Sequence, residues 1–250
     1  MSLGQHLVEL RKRLAIAGLA VLVGGVGGWF LSSFVWDQLR VPIMVIARAQ
    51  HNASINYTSI TSAFDVRFQV AIMLGIVISS PIWLYQIFRF LVPGLTGRER
   101  RYIFGFFFSA IPLFLAGCAA GFLVLPHIVE LMASFVPGQD TQIVDAKYYL
   151  DFVIKLILAT GIAFVLPVFL VLLNFVGILS AKAILKGWRW AILAIALFTA
   201  IATPAADVVS MFLLALPMVA LYFAAFGVAT LHDRAAARKA ASLSAGLAGA

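Results

Sequence analysis

Apolar residues in this chain do not alternate with polar ones at the spacing of a water-facing helix or strand. They run almost unbroken through six stretches, approximately Leu14 to Trp36, Phe68 to Val92, Tyr102 to Ile128, Tyr149 to Ile178, Trp188 to Thr203 and Val208 to Leu231. A helix crossing the hydrocarbon core needs about 20 such residues, because it rises 1.5 Å per residue over roughly 30 Å and must satisfy its backbone hydrogen bonds internally. The pattern predicts an all-α integral membrane protein of six transmembrane helices, with residues 1–231 forming one domain. The fifth stretch spans only about 24 Å, and the short link Pro204 to Asp207 joins it to the sixth, so short fifth and sixth helices that thin the bilayer are expected. The Ala-rich stretch 232–250 has no amphipathic pattern and reads as a loose, disordered tail.

The first stretch follows Arg11, Lys12 and Arg13 and could pass for a secretory signal. Signal cores, however, are about 7 to 15 residues long and end at a small-residue cleavage site. Here the run continues to Trp29, Phe30 and Trp36, which predicts a retained span.

Composition agrees with a membrane protein. Hydrophobic residues make up 63% of the chain and charged residues 11%, against roughly 25% charged in soluble domains. The mean hydropathy is +1.05. A disordered chain is excluded by the high apolar content, and a disulfide scaffold by the single cysteine, Cys118.

Net charge is +8, and its placement gives orientation, because Lys and Arg are retained on the cytoplasmic side. With the N-terminus inside, the inner segments carry thirteen basic residues against Glu9, Glu99 and Asp233; the outer segments carry Arg40, Arg48, Arg67 and Lys147 against seven acids. Both termini are therefore expected in the cytoplasm. The basic balance is a topology signal: no basic patch is interleaved with aromatics, and nucleic acid is not an expected partner.

Pro81, Pro112, Pro167 and Pro217 fall inside apolar stretches, where each removes a backbone hydrogen bond and bends its helix; bent helices enclose a cup. Gly24 and Gly28, and Gly117 and Gly121, have the GxxxG spacing of close helix contacts. Gln69, Gln86, Asn174, Asp151 and Lys155 are polar near membrane depth, where polarity points to function. Asp151 and Lys155, spaced i, i+4, have the plainer alternative of neutralising each other.

Catalysis finds no support. His6, His51 and His232 lie outside the spans and His127 at the end of the third, so no buried Ser has a His at matching depth. A Walker A sequence and a His/Cys/carboxylate cluster with metal spacing are both missing from the sequence. The chain is not expected to be an enzyme, with no catalytic residue, metal or cofactor assigned. A secondary transporter usually has two similar halves, and no such repeat is present.

Two of the three inner acids stand in compact motifs. One is His6-Leu7-Val8-Glu9-Leu10-Arg11-Lys12-Arg13-Leu14, and the other Phe90-Leu91-Val92-Pro93-Gly94-Leu95-Thr96-Gly97-Arg98-Glu99-Arg100-Arg101. A carboxylate accepts an arginine fork through two parallel hydrogen bonds, so two acids could hold a paired-arginine ligand. The alternative is that Glu9 pairs with Arg13 along the helix while Glu99 balances its neighbours.

With these motifs the chain resembles the TatC family, the multi-span core of the twin-arginine protein translocase, from His6 to about Tyr222. Ser80-Pro81, Tyr85-Gln86, Thr203-Pro204, Asp207 and Leu216-Pro217-Met218 extend the match. The resemblance implies a six-helix cup in the bacterial cytoplasmic membrane that receives folded proteins bearing Arg-Arg signal peptides. It implies Glu9 and Glu99 as the signal-binding acids, with Phe90, Pro93, Leu95, Arg98, Arg101 and Arg11 shaping the same patch. Pro42 and Asp207 correspond to positions used in translocation. Thr203, Ser210 and Met211 correspond to the face that docks the single-span TatA and TatB partners. Homo-oligomers within the complex and export driven by the proton-motive force are likewise implied. The chain departs from the family at Phe164-Val165-Leu166, where an acidic or amide residue often precedes the proline matched by Pro167; Asn174, Thr160 and Lys155 are candidate substitutes. The rival reading is a proton- or ion-coupled small-solute transporter using Asp151 and Lys155.

Overall fold

The computed structural model describes residues 3–50, 53–91, 99–137, 142–203 and 207–248. Nearly all of them are helical, as the apolar pattern requires. The elements are α1 (Leu3–Leu39), α2 (Val41–Gln50), β1 (Ala53–Asn56), α3 (Ser62–Ile78), α4 (Ser80–Leu91), α5 (Glu99–Ser134), β2 (Gln142–Asp145), α6 (Ala146–Phe175), α7 (Ala181–Lys186), α8 (Trp188–Ala202) and α9 (Val208–Ala248).

Among the described residues, four helical segments are long and apolar enough to cross a membrane: Gly4–Ala47, Gly105–Ser134, Ala146–Phe175 and Val208–Arg238. A fifth span is the pair α3 and α4, broken at Ser79 with a bend of 57°. Pro81 accounts for the break, since it has no N–H to continue the helix and its ring excludes the preceding turn. Pro112, Pro167 and Pro217 instead lie within helices that run on through them. The fifth apolar stretch forms α8, a helix of 15 residues, about 22 Å long. That matches the expected short fifth helix.

The sixth helix corrects the expectation that it would be short. At 41 residues, α9 is the longest described, and it carries the supposedly loose tail as helix to Ala248. Alanine, lysine and arginine have high intrinsic helix propensity, so this segment extends a helix already nucleated by the membrane span without needing an apolar face.

Close packing follows the glycines. A Cβ on Gly24 would lie 2.8 Å from the Gly75 carbonyl oxygen, and one on Gly117 2.6 Å from that of Thr160. The two GxxxG pairs therefore seat α1 on α3 and α5 on α6, the two most extensive helix pairings among the described residues. Between them lies a core containing Phe88, Phe114, Leu125, Leu150 and Leu156, all essentially buried. Phe88 stacks on Phe169 at 4.7 Å, and Trp83 meets Phe114 edge-on at 5.1 Å.

At the end of the bundle opposite the N-terminus, β1 and β2 pair in parallel with Ala53 opposite Gln142 and Asn56 opposite Asp145. The sequence pattern predicts no strand here. Four residues apiece are too few to show an alternation, and the partners lie nearly ninety positions apart. The ribbon leads into α6, whose N-cap Asp145 accepts hydrogen bonds from the Lys147 and Tyr148 amides. The Thr58 hydroxyl donates to the same carboxylate at 2.7 Å. These bonds, the Thr58 hydroxyl foremost, hold the Asp145 carboxyl below its ordinary pKa. Tyr149 donates to the Leu39 carbonyl at 2.6 Å and ties this cap to α1.

Candidate functional site

Glu9 lies on the second turn of α1, ahead of the first apolar stretch. Arg13, one turn further on, donates to Glu9 Oε1 through Nε at 3.1 Å and also through Nη2. The same guanidinium donates through Nη1 to Gln86 Oε1 on α4 at 3.2 Å. Arg13 thus forms the helix-internal pair that the i, i+4 spacing allows and also joins two helices. The hydrogen bond from Arg13 holds the Glu9 carboxyl below its ordinary pKa.

Around this pair, His6 stacks on Phe90 with ring centroids 4.5 Å apart. Arg89 lies over the Tyr85 ring at 5.9 Å, and Arg11 is exposed. The end of α4 therefore packs against the start of α1. Tyr85 also meets Phe107 of α5 edge-on at 5.6 Å. Glu99, the first residue of α5, lies eight residues or about 12 Å of helix from Phe107. Its backbone is accordingly at the same end of the bundle as Glu9. The side chains of Glu99 and Arg101 fall outside the described residues, as do Pro93, Leu95 and Arg98 altogether.

At the other end of the bundle, Thr203 is buried and donates to the Thr199 carbonyl at 2.9 Å. Asp207 caps α9 by accepting the Ser210 amide at 2.8 Å. Asp207 Oδ2 and Ser210 Oγ are both buried with no hydrogen-bond partner among the described residues. Unpaired buried polar atoms are costly, and each calls for an explanation. Met211 is half-buried beside them. Along α8, Trp190, Leu193, Leu197 and Ile201 form an exposed apolar stripe. Pro42 is buried near the start of α2.

Two of the three candidate substitutes for the missing polar group, Thr160 and Asn174, are already engaged. Thr160 hydrogen-bonds back to the Leu156 and Ile157 carbonyls, and Asn174 Nδ2 donates to the Leu179 carbonyl and to Asp233 Oδ1. Asp233 Oδ2 accepts the Ala181 amide at 2.8 Å. His232 stacks on Phe175 and meets Asn174 Oδ1 at 3.2 Å. Asn174 is therefore the centre of a staple joining α6, α7 and α9. Asp151 and Lys155 make no ion pair with each other; Lys155 is exposed and Asp151 half-buried. Among the described residues no three His, Cys, Asp or Glu side chains gather as a metal site would require.

Sequence reasoning selected Glu9 and Gln86 separately and missed that Arg13 joins them. The signal was weak: a Gln in an otherwise apolar stretch, and an Arg among three consecutive cations.

Residues 5–217 match the family described as Sec-independent protein translocase protein (TatC). The chain is 45% identical over 242 residues to the Sec-independent protein translocase protein TatC of Xylanimonas cellulosilytica, covering 96% of this chain and 88% of that one. It is 36% identical over 248 residues to the TatC of Rothia mucilaginosa, covering 98% and 85%. A crystal structure of the twin-arginine translocase receptor TatC in DDM superposes with a TM-score of 0.75 at 28% identity, over 90% of this chain and 99% of that chain.

Proposed function

The chain belongs to the TatC family of Sec-independent protein translocase proteins, and from that premise we propose that its N-terminal end receives the paired arginines of a signal peptide. Glu9 takes one guanidinium and Glu99 the other. The observation that carries this reading is the guanidinium already seated on Glu9: Arg13 presents Nε and Nη2 to one carboxylate oxygen. A site that accepts an arginine edge from its own helix has the shape and charge to accept one from a ligand. Phe90, Pro93, Leu95, Arg98, Arg101 and Arg11 border the same surface in sequence.

The chain acts as a receptor and scaffold within six spans in the bacterial cytoplasmic membrane, with both termini in the cytoplasm. Residues 1–231 form its membrane domain. TatA- and TatB-type single-span helices dock where α8 meets α9, at Thr203, Ser210 and Met211. Supporting this are the exposed stripe on α8 and the unpaired polar atoms of Asp207 and Ser210. Further copies of the chain join the same complex, and translocation past Pro42 and Asp207 draws on the proton-motive force, as the family resemblance implies.

The experiment is photocrosslinking of an Arg-Arg signal peptide to probes placed at Glu9 and Glu99 in membranes. Adducts at both positions that an unlabelled Arg-Arg peptide competes away support the reading. Labelling confined to α8 and α9 contradicts it.

A further inference from the structure

Glu9 is covered in this conformation. The Arg13 side chain is only 12% exposed and that of Glu9 25%. Arg13 lies edge-on to the carboxylate, and Gln86 holds it from behind through Nη1. The contact is more than a neighbouring charge: Nε and Nη2, the guanidinium edge by which arginine differs from lysine, both converge on Glu9 Oε1.

We propose that Arg13 is a resident occupant of the guanidinium site at Glu9, which a ligand arginine must displace, and that Gln86 retains the displaced side chain beside the site. This inference rests on the signal-binding reading above. An ion pair spaced i, i+4 on one helix is weak enough to exchange, so the resident leaves without unfolding α1. Its second anchor on α4 keeps the freed guanidinium from drifting into the ligand's path.

Competition of this kind has a defined signature. Apparent affinity falls by the fraction of time that Glu9 is uncovered, and it falls by the same factor for every ligand. Arg13 therefore sets how tightly any cationic peptide is held, while the preference for arginine over lysine comes from the fork itself. Glu9 is shielded to the same degree from every cationic peptide.

The test measures binding of an Arg-Arg signal peptide and its Lys-Lys counterpart to the full chain in nanodiscs of defined lipid composition. Arg13→Lys keeps the charge and removes the planar fork. It is expected to tighten both peptides by a common factor of about two to ten, with the Arg-Arg to Lys-Lys ratio unchanged. Arg13→Gln is expected to tighten them at least as much, and by more than Lys12→Gln, which removes an equal charge from the adjacent position. A purely structural Arg13 would give the opposite sign, weaker binding from a loosened α1–α4 contact. Unchanged or weaker binding in both Arg13 variants, with Glu9→Gln still impairing the Arg-Arg peptide, overturns the displacement proposal alone. If Glu9→Gln leaves binding unaltered, the signal-binding reading fails instead.

Discussion

Arg13 on α1 and Gln86 on α4 are 73 positions apart in sequence and meet at 3.2 Å. Their contact fixes the broken second span against the first at the end where Glu9 lies. Gln86→Leu removes the acceptor and leaves Arg13 Nη1 part-buried without it. The expected loss is about 1 kcal/mol, or roughly 2–4 °C in Tm for a chain of this size, measured by thermal unfolding of the detergent-solubilised protein.

The seam between α1 and α3 has almost no tolerance for side chains. A Cβ on Gly75 would lie 2.7 Å from both the Gly25 nitrogen and the Val21 oxygen, so Gly75→Val must push the two helices apart. Destabilisation of about 1–3 kcal/mol is expected. Gly27 has open space around its Cβ position, and Gly27→Ala should leave thermal stability within about 0.5 kcal/mol of the parent. Parallel melting curves for the two variants check the contrast.

Ser210 separates stability from partner docking. Its hydroxyl is buried and unpaired, so Ser210→Ala removes a polar atom that gains nothing inside the isolated chain. Stability is expected to stay level or rise slightly, whereas co-purification of TatA- and TatB-type subunits should fall. Asp207→Ala also deletes the α9 cap and should cost about 1 kcal/mol in addition. Reduced stability in Ser210→Ala with undiminished co-purification would count against the docking face.

The staple at Asp233 gives an acid dependence. Hydrogen bonds from the Ala181 amide first, and then from Asn174, hold its carboxyl below its ordinary value. A lowered folded-state pKa makes this contribution complete above the unfolded value of about 3.9 and removes it as pH falls through the lower folded value. Hydrogen exchange at the Ala181 amide, after correction for intrinsic rates, should therefore lose protection as pH falls below about 4. Asp233→Asn should abolish that dependence.

The apolar stretches were legible because a membrane span demands an unbroken run of residues, and the break at Ser79 because Pro81 cannot continue a helix. The GxxxG pairs were legible too, but Gly75 and Gly161, which face them, stand singly and carry no spacing signal. The β1–β2 ribbon was invisible, since strand pairing between Ile55 and Val144 depends on where two helices end. The helical extension of α9 to Ala248 is not legible, because helix propensity alone, without an apolar face, leaves no periodic pattern. At the candidate site, the motif surrounding Glu9 could be recognised by resemblance. Its coverage by Arg13 and the anchoring by Gln86 depend on the angle between α1 and α4, which no local pattern encodes.

The most direct measurement is the affinity of an Arg-Arg signal peptide, beside its Lys-Lys counterpart, for the parent chain and for Glu9→Gln and Glu99→Gln. Each substitution should weaken Arg-Arg binding by about ten-fold or more, as expected for losing a charge-assisted hydrogen bond of about 1.5–3 kcal/mol, and should shrink the preference over Lys-Lys. Equal affinity for both peptides across all three proteins would contradict recognition by these two carboxylates.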